Sequence, residues 1–126
     1  VLIFISTLCN SQVINFPDAN FKNKLLTVGN ACIGESMDKC FFGGSIDSNN
    51  NGEIEVSEAE AVAILQLSSA NISDLTGIEY FINLERLGCA YNNLVSVDLS
   101  ALTSLKILQL RNNQLSSLKL AELNQL

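Results

Sequence analysis

The sequence predicts an α/β solenoid: a stack of short strand-and-return units behind a small helical N-terminal cap. Three observations predict it. Apolar residues recur at a fixed offset through the second half of the chain, an oxygen-rich twelve-residue loop precedes them, and a short helical pattern precedes the loop. With 126 residues, 48% of them apolar, the chain holds one compact domain or a cap plus a few repeats, and global disorder is excluded.

The helical pattern comes first. In residues 15–28, Pro17 suits a first turn, Asp18 complements the positive helix end, and Phe21, Leu25 and Val28 fall on one face; Gly29 and Asn30 then stop it. Residues 40–46, CFFGGSI, read as extended. After the loop, Ser57 is a candidate N-cap for a second helix or turn, with Glu60 in the capping-box place.

The loop, residues 47–58, reads DSNNNGEIEVSE. Its spacing is that of a calcium loop: Asp47 at position 1, Asn49 at 3, Asn51 at 5, Glu53 at 7 through its carbonyl, Glu55 at 9 and a bidentate Glu58 at 12. Gly52 allows the sharp turn, and Ile54 would tuck beneath the loop. A hard cation needs six to eight oxygens at about 2.3–2.6 Å, which this set can supply. An Asn-rich turn also bends without metal; the joint presence of Asp47, Gly52, Ile54 and Glu58 favours Ca²⁺. Only three side-chain ligands carry charge, so the expected affinity is weak, on the order of 0.1–1 mM, which suits a structural staple outside the cell. No helix enters the loop, so half of an EF-hand is missing.

From Val62 onward the chain repeats. Leu84, Leu87, Cys89, Asn92 and Leu94 fit LxxLxLxxNxL; Leu105, Leu108, Leu110, Asn113 and Leu115 follow 21 residues later, and Val97, Leu99 and Leu102 recur as Leu118, Leu120 and Leu123. A degenerate first copy runs through Val62, Leu65, Leu67, Ala70, Ile72, Leu75, Ile78 and Phe81. This is the leucine-rich-repeat signature, with an expected period of roughly 20–29 residues. One unit cannot bury its own leucines, so neighbours stack them into a continuous core. Asn92 and Asn113 are expected to bond backbone groups at the turn after each strand. Cys89 stands where Leu110 stands, which marks it as a small core residue.

Strand residues alternate between core and concave face. Inward Leu87 and Cys89 leave Arg86, Gly88 and Ala90 outward; the matching sets are Ile64, Gln66 and Ser68, then Ile107, Gln109 and Arg111. The candidate ligand contacts are Arg86, Ile107, Gln109 and Arg111, with Tyr91 at the rim. Arg and Tyr are favoured hot-spot types, although arginines on an exposed face also serve as plain solvation.

Composition bounds the rest. The net charge is −6, of which the first 61 residues carry −5 (eight acids against three bases). Acidity is therefore concentrated near the loop, and no basic stripe exists for nucleic acid. The opening VLIFISTL is too short to span a bilayer and reads, through residue 11, as the remnant of a secretory signal peptide cleaved before Gln12. Neither an initiator Met nor a basic n-region precedes it, so the start reads as truncated. In an oxidising compartment Cys32 and Cys40, flanking IGESMDK, can form a local disulfide worth about 2–3 kcal/mol. The chain has no His, and no Cys or Ser sits beside a recognisable base, so intrinsic catalysis is not expected.

Through INFPDANFKNKLL, IDSNNNGEIEVSEA, NISDLTGIEYFINLERL and the two regular repeats, the chain from Ile14 onward resembles secreted bacterial leucine-rich-repeat proteins of the internalin-like kind. That resemblance implies a secreted or cell-surface platform binding a protein or glycan on its concave face. Domains are expected at 1–11 (signal remnant), 12–61 (cap with loop 47–58) and 62–126 (about three repeats, continuing in a longer chain). The loop also resembles those of dockerin modules, which carry two. The alternatives are thus a non-catalytic portion of a larger secreted enzyme, or a dockerin-like assembly module.

Overall fold

The computed structural model describes residues 11–122. The signal-peptide reading of residues 1–10 and the repeat position Leu123 lie outside them.

The first helix, α1 (Ala19–Leu26), is shorter than the sequence pattern. Asp18 is its N-cap, accepting from the amides of Asn20 and Phe21 at 2.9 and 3.3 Å, with Pro17 just outside. Phe21 and Leu25 are buried as expected, but Val28 falls beyond the helix and is exposed. The other oxygen of Asp18 accepts from Ser73 and Asp74 N–H at 2.7 and 3.0 Å. One carboxylate thus caps the helix and ties it to the first repeat. Beside it Phe16 meets Phe21 edge-on at 5.1 Å. Gly77, at φ +107°, lies so close to Phe16 that an added Cβ would stand 2.4 Å from the ring. Only glycine permits that approach.

A hairpin follows: β1 (Ala31–Gly34) and β2 (Cys40–Phe42) pair antiparallel, and β1 also pairs antiparallel with β3 (Val62–Gln66) across a bulge. The second helix, α2 (Val56–Glu60), is capped differently from the expectation. Glu55 is the N-cap and Glu58 Oε1 accepts its N–H at 3.0 Å, so Ser57 and Glu60 do not fill those roles. The loop's last two acids therefore double as the helix start.

The repeats place β3, β4 (Arg86–Gly88) and β6 (Ile107–Gln109) side by side and parallel, giving a five-stranded sheet in the order β2-β1-β3-β4-β6. Their return segments are not α-helical. The first carries a 3-10 turn at Ile78–Tyr80, whereas the next two form a separate parallel pair, β5 (Ser96–Leu99) with β7 (Ser117–Leu120). Among the described residues α-helices occur only before Val62, which narrows the α/β expectation to a mostly stranded solenoid.

The core follows the predicted period: Leu65, Leu67, Leu84, Leu87, Cys89 and Leu94 are all fully buried. Cys89 is a free thiol whose pKa burial pushes up to about 12, as a core residue requires. The ladder is present and reaches backward. Asn92 Oδ1 accepts from Ala70 and Ile72 N–H, both at 3.0 Å, and its amide donates to Leu67 and Cys89 carbonyls at 2.9 and 3.1 Å. Asn113 does the same for the next unit, accepting from Leu94 N–H at 3.0 Å and donating to the Cys89 and Leu110 carbonyls. Ala70, in the place of the first missing Asn, is thus served by its successor.

Candidate functional site

The loop's geometry starts from Asp47. Its two oxygens accept Asn51 and Gly52 N–H at 3.2 and 2.8 Å, folding the chain back through Gly52 at φ +81°. Ile54 is fully buried, as its motif position requires, and its carbonyl accepts Ile14 N–H at 2.9 Å. Val13 bridges Glu55, and Val56 N–H reaches the Gln12 carbonyl. The strand-like residues 12–14 thus support the loop from the side on which no helix enters.

This fold brings Asp47, Glu55 and Glu58 together, with one carboxylate oxygen of each within 4.8 Å of the others. All three are more than nine-tenths buried. Glu58 Oε2 accepts Ser48 N–H at 2.6 Å, while Glu55 Oε2 is buried with no hydrogen-bond partner. The hydrogen bond with Glu58, aided by the amides of Asn49 and Asn51, holds Glu55 down to about pKa 2; burial and the same neighbour push Glu58 up.

The remaining loop positions are placed less directly. Asn49 and Asn51 turn their NH₂ groups toward Glu55 Oε1, while their Oδ1 atoms accept the amides of Asn51 and Glu53. Glu53 sends its carboxylate to Lys22 on α1 at 2.7 Å, leaving its carbonyl for the ligand role. The motif gave no hint of that tie between helix and loop.

On the sheet face expected to bind a ligand, the strand register places Ile64, Arg86 and Ile107 in one row, then Gln66, Gly88 and Gln109 in the next. Ile107, Gln109, Arg111 and Tyr91 are exposed and Arg86 is half-buried. Ile64, by contrast, is covered: it packs with Cys32, Met37 and Cys40. Gln66 lies across Gly88, where an added Cβ would stand 2.3 Å from its Oε1. Arg111 stacks over the Tyr91 ring at 5.4 Å. Cys32 and Cys40 are joined, their Cα atoms 5.4 Å apart, closing the β1–β2 hairpin. Its loop leans on the repeats, with Met37 N–H donating to Glu85 Oε2 at 2.6 Å while Lys106 holds Glu85 Oε1 at 3.0 Å. These two donors, the Met37 amide foremost, keep the Glu85 carboxyl below its ordinary pKa.

A cleft of about 640 Å³ lies on the return side, between residues 73–79 and 95–101. Its acids are occupied locally: Asp74 accepts from Thr76, Asp98 from Ser100, and Glu79 from Gly77 N–H.

Strand, return and asparagine ladder are those of leucine-rich repeats. A family model described as leucine-rich repeats in two copies matches residues 82–124. Among solved structures, two of Clostridium perfringens ZmpB, comprising its CBM51-2 and INT domains, are similar. The one with GlcNAc bound has 26% identity and a TM-score of 0.55 over 77% of this chain, the other 27% and 0.53 over 78%. An internalin from Listeria monocytogenes shares the fold at 21% identity and a TM-score of 0.58 over 83% of this chain. The matched region spans 17% of each ZmpB chain and 30% of the internalin. No curated protein matches significantly.

Proposed function

We propose that this chain is a calcium-stapled part of a secreted or cell-surface leucine-rich-repeat protein that binds a protein or glycan ligand on its concave sheet. The observation that carries the metal part is the unpartnered Glu55 Oε2 inside a buried three-carboxylate cluster. A buried carboxylate oxygen without a donor is costly, and a hard cation relieves that cost for all three acids together. Asp47, Glu55 and Glu58 would hold Ca²⁺, with Asn49, Asn51 and the Glu53 carbonyl completing the shell once the asparagine amides turn over. Bound there, the ion would neutralise the acids as a structural element, while the chain itself holds α1 through Lys22–Glu53 and starts α2 through Glu55 and Glu58.

The binding part rests on the open sheet face, with Arg86, Ile107, Gln109, Arg111 and Tyr91 toward the ligand. The Cys32–Cys40 bond fits an oxidising compartment, and among the described residues no helix is long and apolar enough to cross a membrane. The second reading, a non-catalytic part of a larger secreted protein that handles glycans, is favoured by likeness to a ZmpB structure solved with GlcNAc. The test is a thermal melt of residues 12–126 in millimolar Ca²⁺ and in EDTA, then Ca²⁺-loaded protein on peptide and glycan arrays with Arg86→Ala and Arg111→Ala. No Ca²⁺-dependent rise in melting temperature removes the metal; unchanged binding in both variants removes the concave face.

A further inference from the structure

We infer that the concave face is built for an acidic segment of a partner protein carrying an apolar side chain, and that the cap hairpin forms part of that face. The inference rests on the concave-face reading above and deepens it.

The sheet register extends the outward row beyond the repeats: Phe42, Cys32, Ile64, Arg86 and Ile107 stand opposite one another across five strands. Cys32 and Ile64 are sealed beneath Met37, whereas Phe42 at one end and Ile107 at the other are exposed, at 54% and 39%. The disulfide-closed loop therefore stands as a ridge on the sheet, with apolar contact surface on both sides of it.

Charge supplies the partner's chemistry. The chain is at −6, yet neither Arg86 nor Arg111 meets a carboxylate at ion-pair distance among the described residues. The acid next to Arg86, Glu85, is already taken by Met37 N–H and Lys106. Arg86 Nε is shielded from solvent and makes no hydrogen bond. Arg86 and Arg111 thus put two unpaired guanidiniums on this face, beside a hairpin ridge whose exposed Glu35 and Asp38 face outward with Lys39, and guanidiniums left without a carboxylate of their own complement an acidic partner.

Tyr91 points the same way. It sits at φ +57°, in the left-handed region, at the turn position that Ser69 and Asn112 fill in the neighbouring units. Asparagine tolerates that conformation far better than an aromatic does. Tyrosine there is held against local preference, and what it gains is the stack that fixes Arg111. A stacked guanidinium presents its N–H fork outward at low entropic cost, the geometry suited to a carboxylate. The same stack covers one face of Tyr91, which a neutral sugar ring would otherwise use.

The test is selection of a random dodecapeptide display library on the Ca²⁺-loaded protein, beside an array of neutral glycans that includes GlcNAc oligomers. The expected peptides are enriched in Asp or Glu next to one large apolar residue. Their affinity should fall at least tenfold with Arg111→Glu and several-fold with Tyr91→Asn, which should fold at least as stably as the parent. Exchanging the peptide's acid for Lys should restore binding to the Arg111→Glu protein. Neutral or basic selected peptides, indifference to Arg111→Glu, or no selected peptide at all would overturn the inference. Neutral glycans retained through Ile107 and Gln109 would overturn it too, while leaving the concave-face reading intact. Binding indifferent to every concave substitution would remove both.

Discussion

Replacing Asn92 with Ala removes a side chain that is only 4% exposed and serves two repeats at once. Of the backbone groups it bonds, the Cys89 and Ala90 carbonyls keep other donors, Asn113 and Ser69 N–H respectively. Ala70 N–H, Ile72 N–H and the Leu67 carbonyl have no other partner described. At about 1–1.5 kcal/mol for each buried group left unmet, the low half of the usual range, the variant should lose about 3–5 kcal/mol. That is a large part of the roughly 5–15 kcal/mol that holds a domain of this kind together. Asn113→Ala strands only the Leu94 N–H and the Leu110 carbonyl, at a half-buried position that water reaches, so about 1–2 kcal/mol is expected. Asn92→Asp keeps the acceptor but turns a charged oxygen toward the Leu67 and Cys89 carbonyls, and should be no milder than Ala. Urea unfolding in Ca²⁺, with the slope checked for constancy, measures all three. An Asn92→Ala loss below about 1 kcal/mol, or one equal to that of Asn113→Ala, would refute the backward-reaching ladder.

Three further outcomes are expected. With a dissociation constant on the order of 0.1–1 mM, 10 mM Ca²⁺ should add about 1.4–2.7 kcal/mol of stability over EDTA, and Glu58→Gln should abolish most of that increment; calorimetric melts report both. Burial alone would raise the Asp18 pKa, but amide hydrogen bonds from Ser73, Asp74, Phe21 and Asn20 outweigh it and lower the value. Its stabilisation is therefore complete above the unfolded carboxylate pKa near 3.9 and fades as pH falls through the lower folded value. Asp18→Ala should cost about 1–2 kcal/mol at pH 7 and distinctly less near pH 2, read from urea titrations at both. Cys89, held protonated by burial, should react with iodoacetamide at pH 8 only as fast as the protein opens; stoichiometric labelling of the folded protein within minutes would contradict its place in the core.

The repeat was legible because its leucines are spaced by the stacking itself: Leu84, Leu87 and Leu94 are buried for the same reason that they recur. Asn92 was legible in position but not in reach, since nothing in a single period says that its bonds run to the preceding unit. The β1–β2 hairpin was not foreseen as part of the sheet. Its strands of four and three residues carry no alternation, and pairing with β3 is decided by tertiary contact. For the same reason the sequence does not place Phe42 in the row of Ile64, Arg86 and Ile107. The loop's acids were legible from spacing, but the helix cap was misplaced at Ser57 because Glu55 and Glu58 serve loop and helix together. The extended return strands β5 and β7 left no signal distinct from the leucine period.

The direction of the asparagine ladder has a consequence for synthesis. Each turn is closed by a side chain about 21 positions further along, so a repeat leaving the ribosome is unfinished until its successor has followed. At about 5–20 residues per second that interval is about 1–4 s. During it the Ala70 and Ile72 amides, and then the Leu94 amide, stay open to water or to a wrong partner. Closure then proceeds from the first unit outward, in the order of translation, with the cap already in place behind it. A chain ending between Asn92 and Asn113 would therefore close its first turn and leave the Leu94 amide unmet, so the last repeat present is always the one left open.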